Sequence, residues 1–174
     1  PFIHDNAAVV GHCVWLARVA ERIGVPVVVT EHFPEKIGGT VDALRAATAG
    51  AQYVAKQFFS AQADGCLAAT AVAGREQVIM CGTEAHVCVQ QTALDLRWAG
   101  KEVFIVAEAS GSREPANRDL AFARNVQQQK SAATGSDQFS ADRSGPPRGV
   151  VELVNLAVAD ERTKPLLCHP RFVQ

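Results

Sequence analysis

One cysteine in this chain stands where covalent chemistry is possible. Cys88 lies in C-G-T-E-A-H-V-C-V-Q-Q-T, residues 81–92. The V-I-M-C-G ahead of it reads as strand then glycine, and V-C-V-Q-Q-T-A-L-D-L-R-W-A-G reads as helix. The sulfur therefore falls near a helix N-terminus, where free backbone N–H groups and the dipole favour negative charge. A thiolate forms more readily there, and the thiolate is the nucleophile. The same amides can receive the oxyanion of a tetrahedral intermediate. Position alone leaves a second reading open, in which Cys88 is a buried packing thiol. Cys81, inside the strand, reads as packing. A cysteine nucleophile also needs a base or a cation beside it. Lys56 ends the run A-Q-Y-V-A-K and can point to the same sheet edge; its ordinary reading is a solvated lysine.

The elements that must position these residues follow from hydrophobic period. Residues 5–23 read as a helix capped by Asp5 or Asn6, with Val9, Cys13, Leu16, Ala20 and Ile23 as its apolar stripe and Gly24 beyond its end. Trp15 falls off that stripe. V-P-V-V-V-T-E-H-F is a β-branched run expected to be a buried parallel strand. P-E-K-I-G-G-T-V-D-A-L-R is expected as a loop, then a short helix. A-Q-Y-V-A-K, Q-V-I-M-C and E-V-F-I-V-A-E-A read as strands; residues 63–73, 87–99 and 114–125 read as helices. Strands alternating with helices predict an α/β fold, a parallel sheet covered on both faces. Ligands gather at the carboxyl ends of such strands. That directs attention to Glu31 and His32, Lys56, the segment 82–88 and the segment 108–113.

The pattern breaks after residue 125. Residues 126–149 are polar and aperiodic and are expected to be a loop or disordered insertion; V-V-E-L-V-N-L-A-V-A-D-E then resumes an apolar pattern that fits helix or strand, with helix the expectation. The 174 residues are expected to form a single domain. A 48% hydrophobic content and a net charge of −1 give no basic stripe for nucleic acid and no acidic tail. No apolar run is long enough for a membrane span. The five scattered cysteines include no C-x-x-C pair, so reduced thiols in a cytoplasmic protein are expected.

The sequence resembles the isochorismatase-like cysteine hydrolases. The residues that carry the likeness are P-V-V-V-T-E-H-F-P-E-K-I-G-G-T-V-D-A-L-R, A-K-Q-F-F-S-A, P-A-N-R-D-L-A-F-A-R and above all G-T-E-A-H-V-C-V-Q-Q-T-A-L-D-L. T-E-H-F-P-E-K-I-G-G-T-V is similar to a small branch of the family with unsettled substrates. The resemblance covers roughly residues 1–125. It implies a three-layer sandwich with a parallel sheet of about six strands, and an Asp–Lys–Cys triad in which Cys88 is the nucleophile and Lys56 the lysine. It also implies a cis peptide at Thr83–Glu84 and an oxyanion hole made by the Glu84 and Cys88 amides. The family's aspartate ends a first strand in a D-x-Q motif; no such strand precedes Pro1, so that strand and aspartate are expected to be missing from this sequence. The implied reaction is hydrolysis of a small amide through a thioester. A catalytically silent binding protein and a vinyl-ether hydrolase are the rivals. Glu31, His32, Phe58 and His86 are candidate pocket residues, with Phe59 expected in the core. No cofactor or metal is expected, because T-E-H-F-P-E-K lacks the aspartate and paired histidines of the family's metal-binding members. The implied partners are a small-molecule substrate and further copies in a homo-oligomer.

Overall fold

The computed structural model describes residues 3–132 and 149–154. Five strands form one sheet, all neighbours parallel: β1 (Val27–His32), β2 (Gln52–Lys56), β3 (Gln77–Thr83), β4 (Glu102–Gly111) and β5 (Gly149–Val154), in the order β2-β1-β5-β3-β4. The helices are α1 (Asn6–Arg22), α2 (Pro34–Ile37), α3 (Asp42–Ala47), α4 (Ala61–Asp64), α5 (Gln90–Trp98) and α6 (Pro115–Ala132).

Strand alternation builds two cores from one sheet. Val28, Val78 and Met80 face one way and pack with Leu67, Val72, Ala93 and Leu96. Val29 and Cys81 face the other way and pack with Val9, Cys13, Ala17, Ala20 and Leu44. The first core lies under α4 and α5, the second under α1 and α3, which makes the expected three layers. From β1 the chain builds outward to β2, and from β3 outward to β4. The direction of winding reverses between β1 and β3, the place where a crevice opens at the strand ends.

Several expectations need correcting. Residues 150–154 are strand, not helix: Gly149–Val154 pairs Val150 with Val78 and Val151 with both Val27 and Ile79. The β1 and β3 edges do not pair with each other, so their backbone groups need a strand between them, and the β-branched Val150–Val151 pair suits it. Five strands stand among the described residues. The final helix continues to Ala132, into the segment read as loop; residues 133–148 lie outside the described residues. The alanine-rich stretch 63–73 is not a helix. Ser60 accepts a bond from the Ala63 amide to start α4, but Gly65 at φ 83° ends it after one turn. In α1 the stripe runs through Ala17 rather than Leu16, and Ile23 is exposed. Asp5 precedes α1 in the left-handed region and makes no side-chain cap bond. Short α2, one turn begun by Pro34, lies in the stretch read as loop.

Candidate active site

Period 2 puts His32 and Lys56 together before any chemistry is considered. They are register partners at the carboxyl ends of β1 and β2. His32 shares its face with Val28, and Lys56 with Val54, so both belong to the α4–α5 side. Cys88 reaches that side from β3. The chain leaves β3 at Thr83, turns at Glu84 and enters a single π-helical turn, Ala85–Val89, that runs straight into α5. Such turns widen a helix locally and recur at functional sites. Thr92 holds the turn: its Oγ1 donates to the Cys88 carbonyl at 2.8 Å and accepts from the Ala61 amide at 3.0 Å. The sequence reading passed over Thr92, although its i+4 spacing from Cys88 on a helix was the available signal.

Lys56 Nζ lies 3.6 Å from Cys88 Sγ and donates to the carbonyl oxygens of Phe58 at 3.0 Å and Phe59 at 2.9 Å. Lys56 and Cys88 are each 1% exposed. The solvated reading of Lys56 is therefore overturned. An ammonium has three N–H groups; two meet carbonyls here and the third direction faces sulfur. No ion pair of Lys56 with a carboxylate occurs among the described residues. A buried ammonium held by neutral dipoles alone is costly, and an adjacent thiolate offsets that cost. The same proximity favours the ionised form of the sulfur.

His32 completes this corner. It is 3% exposed, and its ring meets Phe33 edge-on at 4.8 Å between centroids and Phe59 at 5.5 Å. Burial first, and then the Lys56 charge, push its pKa from 6.5 down to about 4. The imidazole is thus neutral near pH 7, and Lys56 is the cation of the corner. Phe58, the expected wall residue, instead stands 64% exposed; Phe59 is the phenylalanine packed against His32.

Glu31 and His86 take different places. Glu31 is adjacent to His32 on a strand, so it points to the other face. Its Oε1 accepts from the Thr40 amide (2.8 Å), Thr40 Oγ1 (2.7 Å) and Arg45 Nη2 (2.8 Å). It clamps the connection between α2 and α3 and is not brought to Cys88. Gly39 packs closely there: an added Cβ would sit 3.1 Å from both Arg45 Nη2 and Glu31 Oε1, and those side-chain ends would have to shift by a few tenths of an ångström. His86 Nδ1 lies 3.0 Å from Ser112 Oγ and 3.7 Å from Glu84 Oε2, while Arg113 Nε donates to Glu84 Oε1 at 3.0 Å. Burial lowers the His86 pKa, against the raising effect of Glu84 and together with Arg113. Ser112 and Arg113 enter this cluster from the segment that directly follows β4.

The expected cis bond at Thr83–Glu84 is absent: no peptide is cis among the described residues. Glu84 makes the turn instead with φ 56° and ψ 55°. Only two other non-glycine residues, Asp5 and Phe33, have positive φ among the described residues. Glu84 and Phe33 each directly follow a strand that carries the site. Such conformations cost on the order of 1–3 kcal/mol and persist where surrounding contacts fix them. The ion pair to Arg113 holds Glu84; the Phe33 amide donates to the Lys56 carbonyl at 3.0 Å.

A cavity of about 200 Å³ opens at the opposite end of β1, between Ala17, Glu21, Pro26 and Thr48. It lies away from Cys88 and Lys56. No group of three or more His, Cys, Asp or Glu residues is placed to hold a metal among the described residues. No helix among them is long and apolar enough to cross a membrane.

Comparison with known proteins gives a consistent answer. Residues 2–137 match the family model for the isochorismatase domain. The isochorismatase domain-containing protein 1 of Danio rerio is 38% identical over 109 residues, 63% of this chain and 38% of its own length. The chain therefore spans about two fifths of that relative. The solved MAR1 ribonuclease of Caenorhabditis elegans has 31% identity and a TM-score of 0.67, over 72% of this chain and 65% of that one. Two solved YcaC proteins are also similar. That of Escherichia coli, an octameric hydrolase of unknown specificity, has 27% identity and a TM-score of 0.64, over 70% and 61% of the two chains. That of Pseudomonas aeruginosa, with hexane-2,5-diol and covalent acrylamide, has 26% identity and a TM-score of 0.61, over 85% and 65%.

Proposed function

This chain belongs to the isochorismatase domain family, and from that footing we propose that it is the core of a cysteine hydrolase acting on the C–N bond of a small amide. The observation that carries the reading is the Lys56 ammonium 3.6 Å from the Cys88 sulfur, both buried, at the carboxyl ends of a parallel sheet. The Cys88 thiolate attacks the amide carbonyl, and the oxyanion rests on the main chain of the turn that begins at Glu84, the Cys88 amide foremost. The C–N bond breaks as the leaving amine takes a proton from a water molecule, and the hydroxide that remains attacks the thioester, releasing the acid and restoring the Cys88 thiolate. Lys56 keeps the sulfur ionised before attack and between the two steps. The role that the resemblance gives to an aspartate is not assigned to a residue of this sequence. The covalent acrylamide in the Pseudomonas aeruginosa YcaC structure supports a reactive nucleophile in this fold; acrylamide is captured at its alkene, so it bears on the nucleophile and not on amide cleavage.

The test is a panel of small primary amides, with ammonia release and intact mass as readouts. The proposal expects an acyl adduct on the tryptic peptide of Cys88 and no turnover in Cys88→Ala. A short RNA and a vinyl ether belong in the same panel. Turnover of either one retained in Cys88→Ala would replace the thioester mechanism. No adduct and no turnover from any amide would favour the binding-protein reading. Assembly into a homo-oligomer in the cytoplasm is part of the proposal, supported by the octameric Escherichia coli neighbour; sedimentation of the purified chain measures the assembly.

A further inference from the structure

The core beneath α1 holds a second pair of sulfur atoms, on the opposite side of the sheet from Cys88. Cys13 Sγ on α1 lies 3.8 Å from Cys81 Sγ on β3 and donates to the Ala109 carbonyl at 3.2 Å. Both residues are 0% exposed and neither is in a disulfide. Cys66 and Cys88 pack in the other core, across the sheet. Cys81 faces the α1 side from β3, whereas Cys88 reaches the other side from the turn that follows β3.

We propose that Cys13 and Cys81 are a redox-modifiable dithiol, which closes to a disulfide on two-electron oxidation by a small peroxide. One thiolate attacks the peroxide, breaks its O–O bond, and becomes a sulfenic acid as water leaves. The neighbouring thiol then attacks that sulfur, the S–O bond breaks, and a second water carries away the oxygen and the remaining proton. Two thiols and one peroxide thus give one disulfide and two waters. A disulfide has its sulfurs about 2.0 Å apart, so the pair closes by a little under half of its present separation. Side-chain rotation of two residues among Val9, Ala17, Val29 and Ala109 supplies that movement. Both sulfurs are fully buried, so the reagent meets them when α1 opens locally from the sheet. The product ties the first helix to the strand that leads into the Cys88 turn.

The experiment is peroxide treatment of the whole chain carrying Cys88→Ala, followed by tryptic mapping without reduction. In that variant Cys13 lies in peptide 1–18, and Cys81 is the one thiol of peptide 76–97. The expected product is peptide 1–18 joined to peptide 76–97, parted again by a reductant and absent in the Cys13→Ala chain. If Cys13→Ala does not fold, Cys81→Ala serves the same purpose. The wild-type chain, cut at Glu84 to separate Cys81 from Cys88, must show the same link. Recovery of Cys13 and Cys81 as alkylatable thiols, under conditions that fully oxidise the more exposed Cys66, overturns the proposal. So does a link from either residue to Cys66 in place of the expected one.

Discussion

Replacing Lys56 by methionine keeps most of the side-chain length and removes the charge. Its effect on Cys88 can be worked from the geometry. At 3.6 Å and an effective dielectric of about 20, an ammonium and a thiolate attract by about 4–5 kcal/mol. In the variant the two carbonyl groups released from Lys56 can turn away from the sulfur and water can enter beside it, which together return part of this. Taking about half as the differential, about 2 kcal/mol, the thiolate population at neutral pH falls roughly thirtyfold. The thiolate that remains is the better nucleophile, and the usual dependence on basicity returns a little under half of the loss on a logarithmic scale. The net expectation is a five- to tenfold slower alkylation of Cys88 near pH 7, by roughly the same reasoning. At alkaline pH, where both proteins are fully ionised at sulfur, the order inverts and Lys56→Met reacts faster. The assay is iodoacetamide labelling over a pH series, read by peptide mapping at Cys88, with circular dichroism to confirm the fold. Equal rates across the series would refute the reasoning. So would a uniform slowing at every pH, which is the mark of lost access rather than lost charge.

Three further outcomes follow from contacts around the site. His32 has a folded pKa of about 4 against 6.5 unfolded, so the unfolded chain takes up its proton first as pH falls. Stability is then full above about pH 6.5 and declines by up to about 3 kcal/mol toward pH 4. Thermal melts should show a lower Tm at pH 4.5 than at pH 7, and His32→Phe should flatten the difference; an unchanged slope in the variant contradicts the assignment. Glu31→Ala leaves the Thr40 amide and Arg45 without their shared acceptor. It should cost about 2–3 kcal/mol in urea unfolding and speed hydrogen exchange at Thr40 while leaving Cys88 labelling unchanged. Thr92→Val preserves shape but orphans the Ala61 amide, and should cost about 1–3 kcal/mol; a neutral result would show that the hydroxyl does not hold the Cys88 turn.

The strands were legible because a parallel strand buried on both faces must be apolar throughout, as V-V-V-T and Q-V-I-M-C are. Cys88 and Lys56 were legible in part: their places after strands followed from pattern, but the contact between them needed the placing of β3 relative to β2, which runs through β5 and β1. Glu31 was misplaced because neighbouring strand residues face opposite ways, and adjacency to His32 carried no information about which way. The stretch 63–73 was misread because alanine content favours helix, while one left-handed glycine at residue 65 ends it. The strand β5 was hidden because its stability comes from two unpaired edges far away in sequence, which no local window contains. Ser112 joined His86 through tertiary packing alone.

The account turns on whether the Cys88 sulfur carries its negative charge at neutral pH. Thiolates absorb in the ultraviolet where thiols do not, so the spectrum of the native chain minus that of Cys88→Ala reports this atom directly. A difference band already present at neutral pH, and diminished in Lys56→Met, is the predicted result. A band that emerges only in the alkaline range of an ordinary free cysteine, the same with or without Lys56, would contradict it.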